Sequence, residues 1–127
     1  MKLGTCSISL SLGVALVAAV AGCSKSGAGA VHALEPAKIP AAVNGAFSHA
    51  SADARQDANN YVAALQNQDP AAAFTRLQKI RSRQDLTAEQ RSVVIGALQT
   101  TFKQMQAAAQ NGNHEAQAAM HQYLSTR

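Results

Sequence analysis

The stretch "DLTAEQRSVVIG", residues 85–96, decides the fold of this chain. Its second half alone has the β-branched composition that is typical of a strand. Thr87 and Gln90, however, have the spacing of a capping box, in which each side chain accepts a hydrogen bond from the backbone amide of the other residue. Apolar residues continue at helical spacing beyond this point, so the sequence predicts a helix over 88–110.

The helix that begins there is long and has one apolar face. Gly96 lies in its interior, where glycine costs about 1 kcal/mol relative to alanine. We therefore expect a neighbouring part of the chain to approach the helix closely at Gly96. The predicted buried face comprises Val94, Ala97, Leu98, Thr101, Phe102, Met105 and Ala109.

Two turns of similar sequence lie on either side of this region. "QNQD" ends at Asp69, which can cap a following helix, and Pro70 then occupies the first helical position, where its missing N–H costs nothing. "QNGN" contains Gly112, which suits a left-handed residue that ends a helix, and Asn113 can cap the next one. Each turn predicts a helical hairpin.

The other predicted helices each carry one apolar stripe. In the first helix the stripe comprises Phe47, Ala54, Ala58, Tyr61, Val62 and Leu65. In the second it comprises Ala73, Phe74, Leu77 and Ile80. In the fourth it comprises Ala116, Met120, Tyr123 and Leu124. The sequence thus predicts an all-α fold, a small four-helix domain of two hairpins over 46–127.

The predicted core is small, because alanine and glutamine dominate and only 4% of the residues are aromatic. Such a domain gains only about 3 to 5 kcal/mol of net stability from its core. Self-association through the alanine-lined faces of the first and third helices would add to this, so a homo-oligomer is expected.

The start of the chain has the pattern of a signal peptide. Lys2 is followed by a dense apolar run over 8–20, and no charge occurs within 3–21. A short transmembrane helix would also fit this length. The small residues Ala21 and Gly22 favour cleavage, because a peptidase threads an extended backbone with small side chains through its active site.

The four residues Val20-Ala21-Gly22-Cys23 resemble the lipobox of bacterial lipoproteins, in which an aliphatic residue and two small residues precede an obligatory cysteine. The resemblance implies that 1–22 is a signal peptide, that the Cys23 sulfur receives a diacylglyceryl group, and that the new amino group is acylated. One acyl chain anchors a protein marginally, at about 0.8 kcal/mol per buried CH₂, and further chains make attachment durable. Cleavage after Ala21 without a lipid, and a retained helix, stay open as alternatives.

Ser24 bears on the final location. In Gram-negative lipoproteins an aspartate after the cysteine tends to retain the protein in the inner membrane, whereas this chain has Ser24. The resemblance therefore implies attachment to the outer membrane, facing the periplasm. On this interpretation Cys6 is removed with the leader, and the mature chain forms no intramolecular disulfide.

Residues 23–45 are expected to form the lipidated cysteine and a flexible tether. The stretch is rich in Ser, Gly and Ala, contains Pro36 and Pro40, and has no steady period. About twenty such residues have a root-mean-square reach of roughly 25 Å and a limit near 70 Å. Packing of His32, Leu34 and Ile39 on the domain is the alternative.

Residues with catalytic or metal-binding chemistry are sparse. His114 and His121 lie two helical turns apart, about 10 Å along the axis, which is too far for one ion. Asp53 and Asp57 share a predicted helix face, but the polar residues around them indicate a wet surface, where neither pKa would shift toward a catalytic value. The mature chain offers no G-x-S-x-G motif and no phosphate-binding glycine loop. We expect no enzyme activity, metal or cofactor.

The charge balance is mildly basic, with 11 Lys and Arg against 7 Asp and Glu. This excess is too small and too dispersed to indicate a nucleic-acid binder. One basic cluster stands out as a surface for an anionic partner, either lipid headgroups or an acidic envelope protein, although a solvated helix end explains it too. The cluster comprises Arg76, Lys79, Arg81, Arg83 and Arg91. The resulting prediction is a non-enzymatic, lipid-anchored interaction module with an envelope protein partner.

A second resemblance gives the alternative function. Leu86-Thr87-Ala88-Glu89-Gln90 is similar to the LTxxQ motif of small periplasmic helical proteins that act as envelope-stress sensors and ATP-independent chaperones. Those proteins typically carry the motif twice, and this chain has one copy. The resemblance implies that Leu86, Thr87 and Gln90 are structural. The client surface would be a concave, partly apolar and cationic helix face.

Overall fold

The computed structural model describes residues 31–126, and this part of the chain is all-α, as predicted. A short 3₁₀ turn over Pro36–Lys38 precedes the α-helices. These are α1 (Ile39–Phe47), α2 (Ala52–Gln66), α3 (Pro70–Arg81), α4 (Ala88–Gln110) and α5 (His114–Ser125). The described range thus holds five α-helices rather than the predicted four. None of them combines the length and the hydrophobicity that spanning a bilayer requires.

Three of the predicted helix starts are confirmed by their capping hydrogen bonds. Asp69 caps α3 by accepting a backbone hydrogen bond of 2.9 Å, and Asn113 caps α5 in the same way, also at 2.9 Å. At the start of α4 the capping box is complete: the Gln90 amide donates to Thr87 Oγ1 at 3.2 Å, and the Thr87 amide donates to Gln90 Oε1 at 2.9 Å. Helical structure over "SVVIG" follows from this start.

The two similar turns have the same hydrogen-bond pattern. In the first, Gln68 has a φ of 55°, and in the second, Gly112 has a φ of 88°. The amides of Gln68 and Gly112 each donate to the carbonyl three residues earlier, at 3.1 and 3.2 Å. The amides of Asp69 and Asn113 each donate to the carbonyl five residues earlier, at 3.1 and 3.0 Å. This is the Schellman motif, which satisfies the last carbonyls of a helix.

The main core lies between α1, α2, α3 and α4. The second-helix stripe of the sequence analysis is buried as predicted, at Ala73, Phe74, Leu77 and Ile80. A buried hydrogen bond of 2.8 Å joins the Tyr61 hydroxyl to Thr101 Oγ1 and so connects α2 to α4. Burial raises the pKa of Tyr61 to about 12, because the interior disfavours the charged phenolate, and the hydrogen bond with Thr101 only partly opposes this.

The prediction of a tether reaching to residue 45 is wrong for its last part. Ile39, Val43 and Phe47 follow one another at four-residue spacing, so they lie on one face of α1. All three are at most 2% exposed and belong to the main core. The helix predicted to begin at Phe47 is also two helices, since α1 ends there and Ser51 caps α2 through a hydrogen bond of 3.3 Å.

The chain before α1 lies across α4. The Leu34 amide donates to the Gly96 carbonyl at 3.2 Å, and Thr100 Oγ1 donates to the Leu34 carbonyl. Gln99 Nε2 donates to the Val31 carbonyl at 3.4 Å. A Cβ on Gly96 would lie only 2.8 Å from the His32 carbonyl oxygen. The expected close approach at Gly96 is therefore confirmed, and the neighbour is the chain before α1, for which the sequence predicts a tether.

Candidate functional site

Three aromatic rings meet where α3, α4 and α5 pack together. The ring centres of Phe74 and Tyr123 are 5.2 Å apart in an edge-on arrangement. Phe102 lies 5.8 Å from Phe74 and 5.6 Å from Tyr123. With the buried residues Met105 and Ala116, these rings form a second, smaller core. Each helix contributes one ring, so the cluster fixes the position of α5 on the hairpin of α3 and α4.

A groove of about 410 Å³ opens beside this cluster. We call it the apolar groove. It is lined by Phe74, Arg81, Ile95, Leu98, Gln99, Phe102, Tyr123 and Leu124. The groove exists because α5 has 12 residues and α4 has 23, lengths of about 18 and 35 Å by helix rise. Packed back from the shared turn, α5 covers only about half of α4.

The apolar groove carries the two most exposed large apolar side chains of the described residues. Ile95 is 40% exposed and Leu124 is 60% exposed. The prediction that Leu124 lies on a buried face is wrong, because it sits in the last turn of α5, where the helix ends at the rim of the groove. Among the described residues that line the groove, Arg81 is the one with a charge. The groove can therefore accept an apolar ligand that carries negative charge.

The predicted basic cluster is divided in the structure. Lys79 Nζ lies 2.7 Å from Asp57 Oδ1, and Arg83 Nη1 lies 3.0 Å from Asp57 Oδ2. A second arm of Arg83 contacts Asp85 Oδ2 at 2.7 Å. Lys79 and Arg83 are thus paired with acidic residues of the same chain, which offset part of their charge toward an external anion.

Asp57 does not lie on the wet surface that the sequence predicted. Its side chain is only 10% exposed, beneath Lys79 and Arg83. The hydrogen bond from Lys79 lowers the pKa of Asp57, burial opposes this shift, and Arg83 adds to the lowering. A hydrogen bond from Arg83 likewise lowers the pKa of Asp85. The network connects α2, α3 and the loop before α4.

The remaining cations of the cluster are exposed. Arg81 reaches the apolar groove, and Arg91 lies one helical turn before Ile95 on α4. Arg91 Nη2 also donates to the Gln84 carbonyl at 3.2 Å. Arg76 is exposed on α3. The structure therefore brings Arg81 to an apolar surface, which sequence spacing alone did not indicate.

The remaining candidate residues of the sequence are the histidines of α5, Cys23 and the LTxxQ-like residues. His114 and His121 are exposed on α5, and no three His, Cys, Asp or Glu side chains of residues 31–126 are grouped to hold a metal. Cys23, the lipidation residue, lies outside the described residues, as do 1–22. Leu86 is buried, and Gln90 Nε2 donates to the Ala46 carbonyl at 3.1 Å, so the LTxxQ-like residues pack α4 against α1.

A second depression, of about 450 Å³, lies between the 3₁₀ turn and the turn from α2 to α3. Pro36, Pro40 and Pro70 form its walls, with glutamine side chains between them. It displays no large exposed apolar residue and no charged group except Asp69, whose carboxylate caps α3. The apolar groove is therefore the stronger candidate for a functional surface.

Comparison of the chain with protein-family models, with curated proteins and with solved structures finds no match.

Proposed function

We propose that this chain is a non-enzymatic, lipid-anchored helical module that presents the apolar groove to another component of the bacterial cell envelope. The observation that carries the proposal is the exposure of Ile95 and Leu124 along one groove. Leaving apolar surface in water costs about 25 cal/mol per Å², so an exposed apolar groove in a small domain is typical of an interaction site.

The position of the groove supports a binding role. Three rings that pack against one another are part of its lining, so the surface is formed before a ligand arrives. A preformed apolar surface loses little conformational entropy on binding. Arg81 at its edge adds a positive charge that selects for an anionic or acidic partner.

The titratable groups with shifted pKa values support a non-enzymatic role. Asp57 and Asp85 are engaged by Lys79 and Arg83, and Tyr61 is buried against Thr101. Catalytic groups with shifted pKa values usually face a cleft that a substrate can enter. Here the shifted groups take part in contacts within the fold, and none of them is among the described residues that line the apolar groove.

The lipobox-like residues supply the proposed location. Acylation of Cys23 would attach the chain to a membrane, and Ser24 favours the outer membrane with the domain in the periplasm. The test is the intact mass of the native protein together with its lipid analysis. We expect a chain that begins at Cys23 and carries a diacylglyceryl group and an amide-linked acyl chain. A chain that keeps Met1, or an unmodified Cys23, would contradict the anchor.

The alternative is an ATP-independent periplasmic chaperone of the LTxxQ type. One observation favours it, namely that the apolar groove is concave, apolar and edged by Arg81. Suppression of the aggregation of an unfolded client by the purified protein would support this function. The I95S/L124S double variant should then lose the suppression, and a variant with serine at the exposed residue Ala41 should keep it.

A further inference from the structure

We infer that the apolar groove docks onto the surface of the membrane that holds the anchor. In this arrangement Ile95 and Leu124 enter the headgroup region, and Arg81 and Arg91 contact anionic lipid. The inference deepens the proposed function and rests on the acylation of Cys23. It follows from where the chain enters the fold, from the distance to Cys23 and from the chemistry of the groove.

The described chain begins at the rim of the groove. The Val31 carbonyl accepts a hydrogen bond from Gln99 Nε2, and Gln99 is itself one of the residues that line the apolar groove. Leu34 is then fixed to Gly96 on the same helix. The described part of the chain therefore begins at α4, on the side where Ile95 is exposed.

The connection between the anchor and this rim is short. Only residues 24–30 separate Cys23 from Val31. Eight steps along the chain span at most about 28 Å. A compact unit of about 100 residues has a radius of gyration of about 13 Å, so the linker is no longer than the width of the domain. Val31 therefore stays within about 28 Å of the anchored cysteine, a distance similar to the width of the domain.

The groove has the chemistry of an interfacial membrane site. Ile95 and Leu124 provide exposed aliphatic groups, and Tyr123 provides an aromatic ring of the kind that favours the headgroup level. Arg81 lies in the groove and Arg91 lies one turn from Ile95. Each Arg near an anionic membrane surface contributes about 1 kcal/mol of attraction. Among the described residues that line the groove there is no carboxylate to oppose this attraction.

The test uses tryptophan as a depth reporter, because the chain contains none. The L124W variant places the reporter in the groove, and the matched N59W variant places it at an exposed position of α2. Each acylated protein is reconstituted into phosphatidylcholine vesicles that contain about 30 mol% phosphatidylglycerol and bromine-labelled acyl chains, which quench tryptophan at the membrane interface. Intact mass establishes the acylation state of each preparation.

We expect the bromolipids to quench L124W about threefold more than N59W, because an interfacial side chain lies about 5 to 10 Å into the boundary region. Salt at about 0.5 M should reduce the difference, since it screens Arg81 and Arg91 from the lipid. R81E should reduce the quenching of L124W, and R55E, the same charge change at an exposed residue of α2, should leave it unchanged. Circular dichroism checks that each variant is folded, and I95W provides a second reporter.

Three results would overturn the inference. Equal quenching of L124W and N59W in an acylated protein would leave the anchor standing and remove the docking. Weak quenching of L124W and I95W together with cross-links between copies at these positions would assign the groove to a second copy of this chain. An unmodified Cys23 would remove the anchor itself and the docking with it.

Discussion

Gln68 occupies a left-handed backbone conformation at the position where the second hairpin has Gly112. A side chain in this conformation costs about 1 to 2 kcal/mol, whereas glycine adopts it without a steric penalty. We expect Gln68→Gly to stabilise the protein by about 0.5 kcal/mol, once the greater freedom of glycine in the unfolded chain is counted. Urea denaturation measures the change in unfolding free energy.

Gly112→Gln is the matched control for this position, since the two turns have the same hydrogen bonds. It should destabilise the protein by about 1 kcal/mol. Changes of the same sign for the two substitutions would contradict the equivalence of the turns.

Asp57 holds Lys79 and Arg83 from a nearly buried position. We expect Asp57→Asn to destabilise the protein by about 1 to 3 kcal/mol at neutral pH, because charged hydrogen bonds are lost. Asp53→Asn, at an exposed position of the same helix, should change the unfolding free energy by less than about 0.5 kcal/mol. A D57N variant as stable as the native protein would show that the network contributes nothing.

Asp57 also makes the unfolding free energy depend on pH. The pKa of Asp57 is lowered from its ordinary value of 3.8, so the folded state favours the carboxylate. Its contribution to stability is therefore complete above pH 3.8 and is lost as the pH falls through the lowered pKa. The difference in unfolding free energy between the native protein and D57N should shrink over this acidic range.

The residues next to Asp57 in the sequence do not indicate that its side chain is buried. Lys79 and Arg83 lie on α3 and just after it, and only the packing of α2 against α3 brings them to Asp57. Arg55 and the polar residues beside Asp57 indicated a wet surface. Charge pairing across helices depends on the relative rotation of the helices, which local periodicity does not define.

At the level of elements, α1 is part of the core, although its sequence resembles a linker. We expect Phe47→Ala to destabilise the protein by about 3 to 5 kcal/mol, because the ring is buried and its removal leaves a cavity. Asn44→Ala, on the exposed side of α1, is the control and should have little effect. A loss below about 1 kcal/mol for F47A would mean that α1 packs only weakly.

Gly96 tests the contact between α4 and the chain before α1. In Gly96→Ala the added Cβ would meet the His32 carbonyl oxygen at 2.8 Å, so we expect the segment before Glu35 to move away. Hydrogen exchange at the Leu34 amide should become faster, while the higher helix propensity of alanine, about 1 kcal/mol, limits the change in global stability.

Gly45→Ala is the control for this substitution. A Cβ at Gly45 in α1 has no atom within 4 Å, so the variant should gain stability without changing exchange at Leu34. Unchanged protection of Leu34 in G96A would contradict the close contact.

Capping explains which elements could be predicted. Asp69, Thr87 with Gln90, and Asn113 each mark a helix start through side chains close in sequence, and all three starts are confirmed. The helix α1 has only about two turns, and Pro40 and Gly45 within it are residues typical of linkers. Its one signal is the spacing of Ile39, Val43 and Phe47, which is too short a pattern to identify without the core that it fills.

At the level of the whole molecule, Ile95 and Leu124 are exposed, so they can be replaced to test binding with little loss of stability. We expect the I95S/L124S double variant to lose only about 1 to 2 kcal/mol of unfolding free energy, because Ile95 is 40% exposed and Leu124 is 60% exposed. When the double variant is reconstituted into vesicles, a water-soluble reagent should modify the side chains of the groove, which the bilayer shields in the native protein. V94S, at the buried residue before Ile95, should destabilise the fold more strongly.

The apolar groove itself could not be derived from the sequence. It depends on the difference in length between α4 and α5 and on the meeting of rings from three helices. Helical spacing marked Leu124 as a core residue, but spacing does not show where a neighbouring helix stops. The lipobox resemblance, by contrast, depends on contiguous residues, and it can be seen without a structure.

The path of the chain from Val31 to α1 also determines how the domain would respond to mechanical force. A pull applied at Val31 first loads the bonds of Val31 and Leu34 to α4, which lie in series and break one at a time. Each freed residue then lengthens the chain by about 3.5 Å before tension reaches Ile39 and the packed helices behind it. The segment from Val31 to Leu34 would thus detach and extend before the force reaches the packed helices of the core.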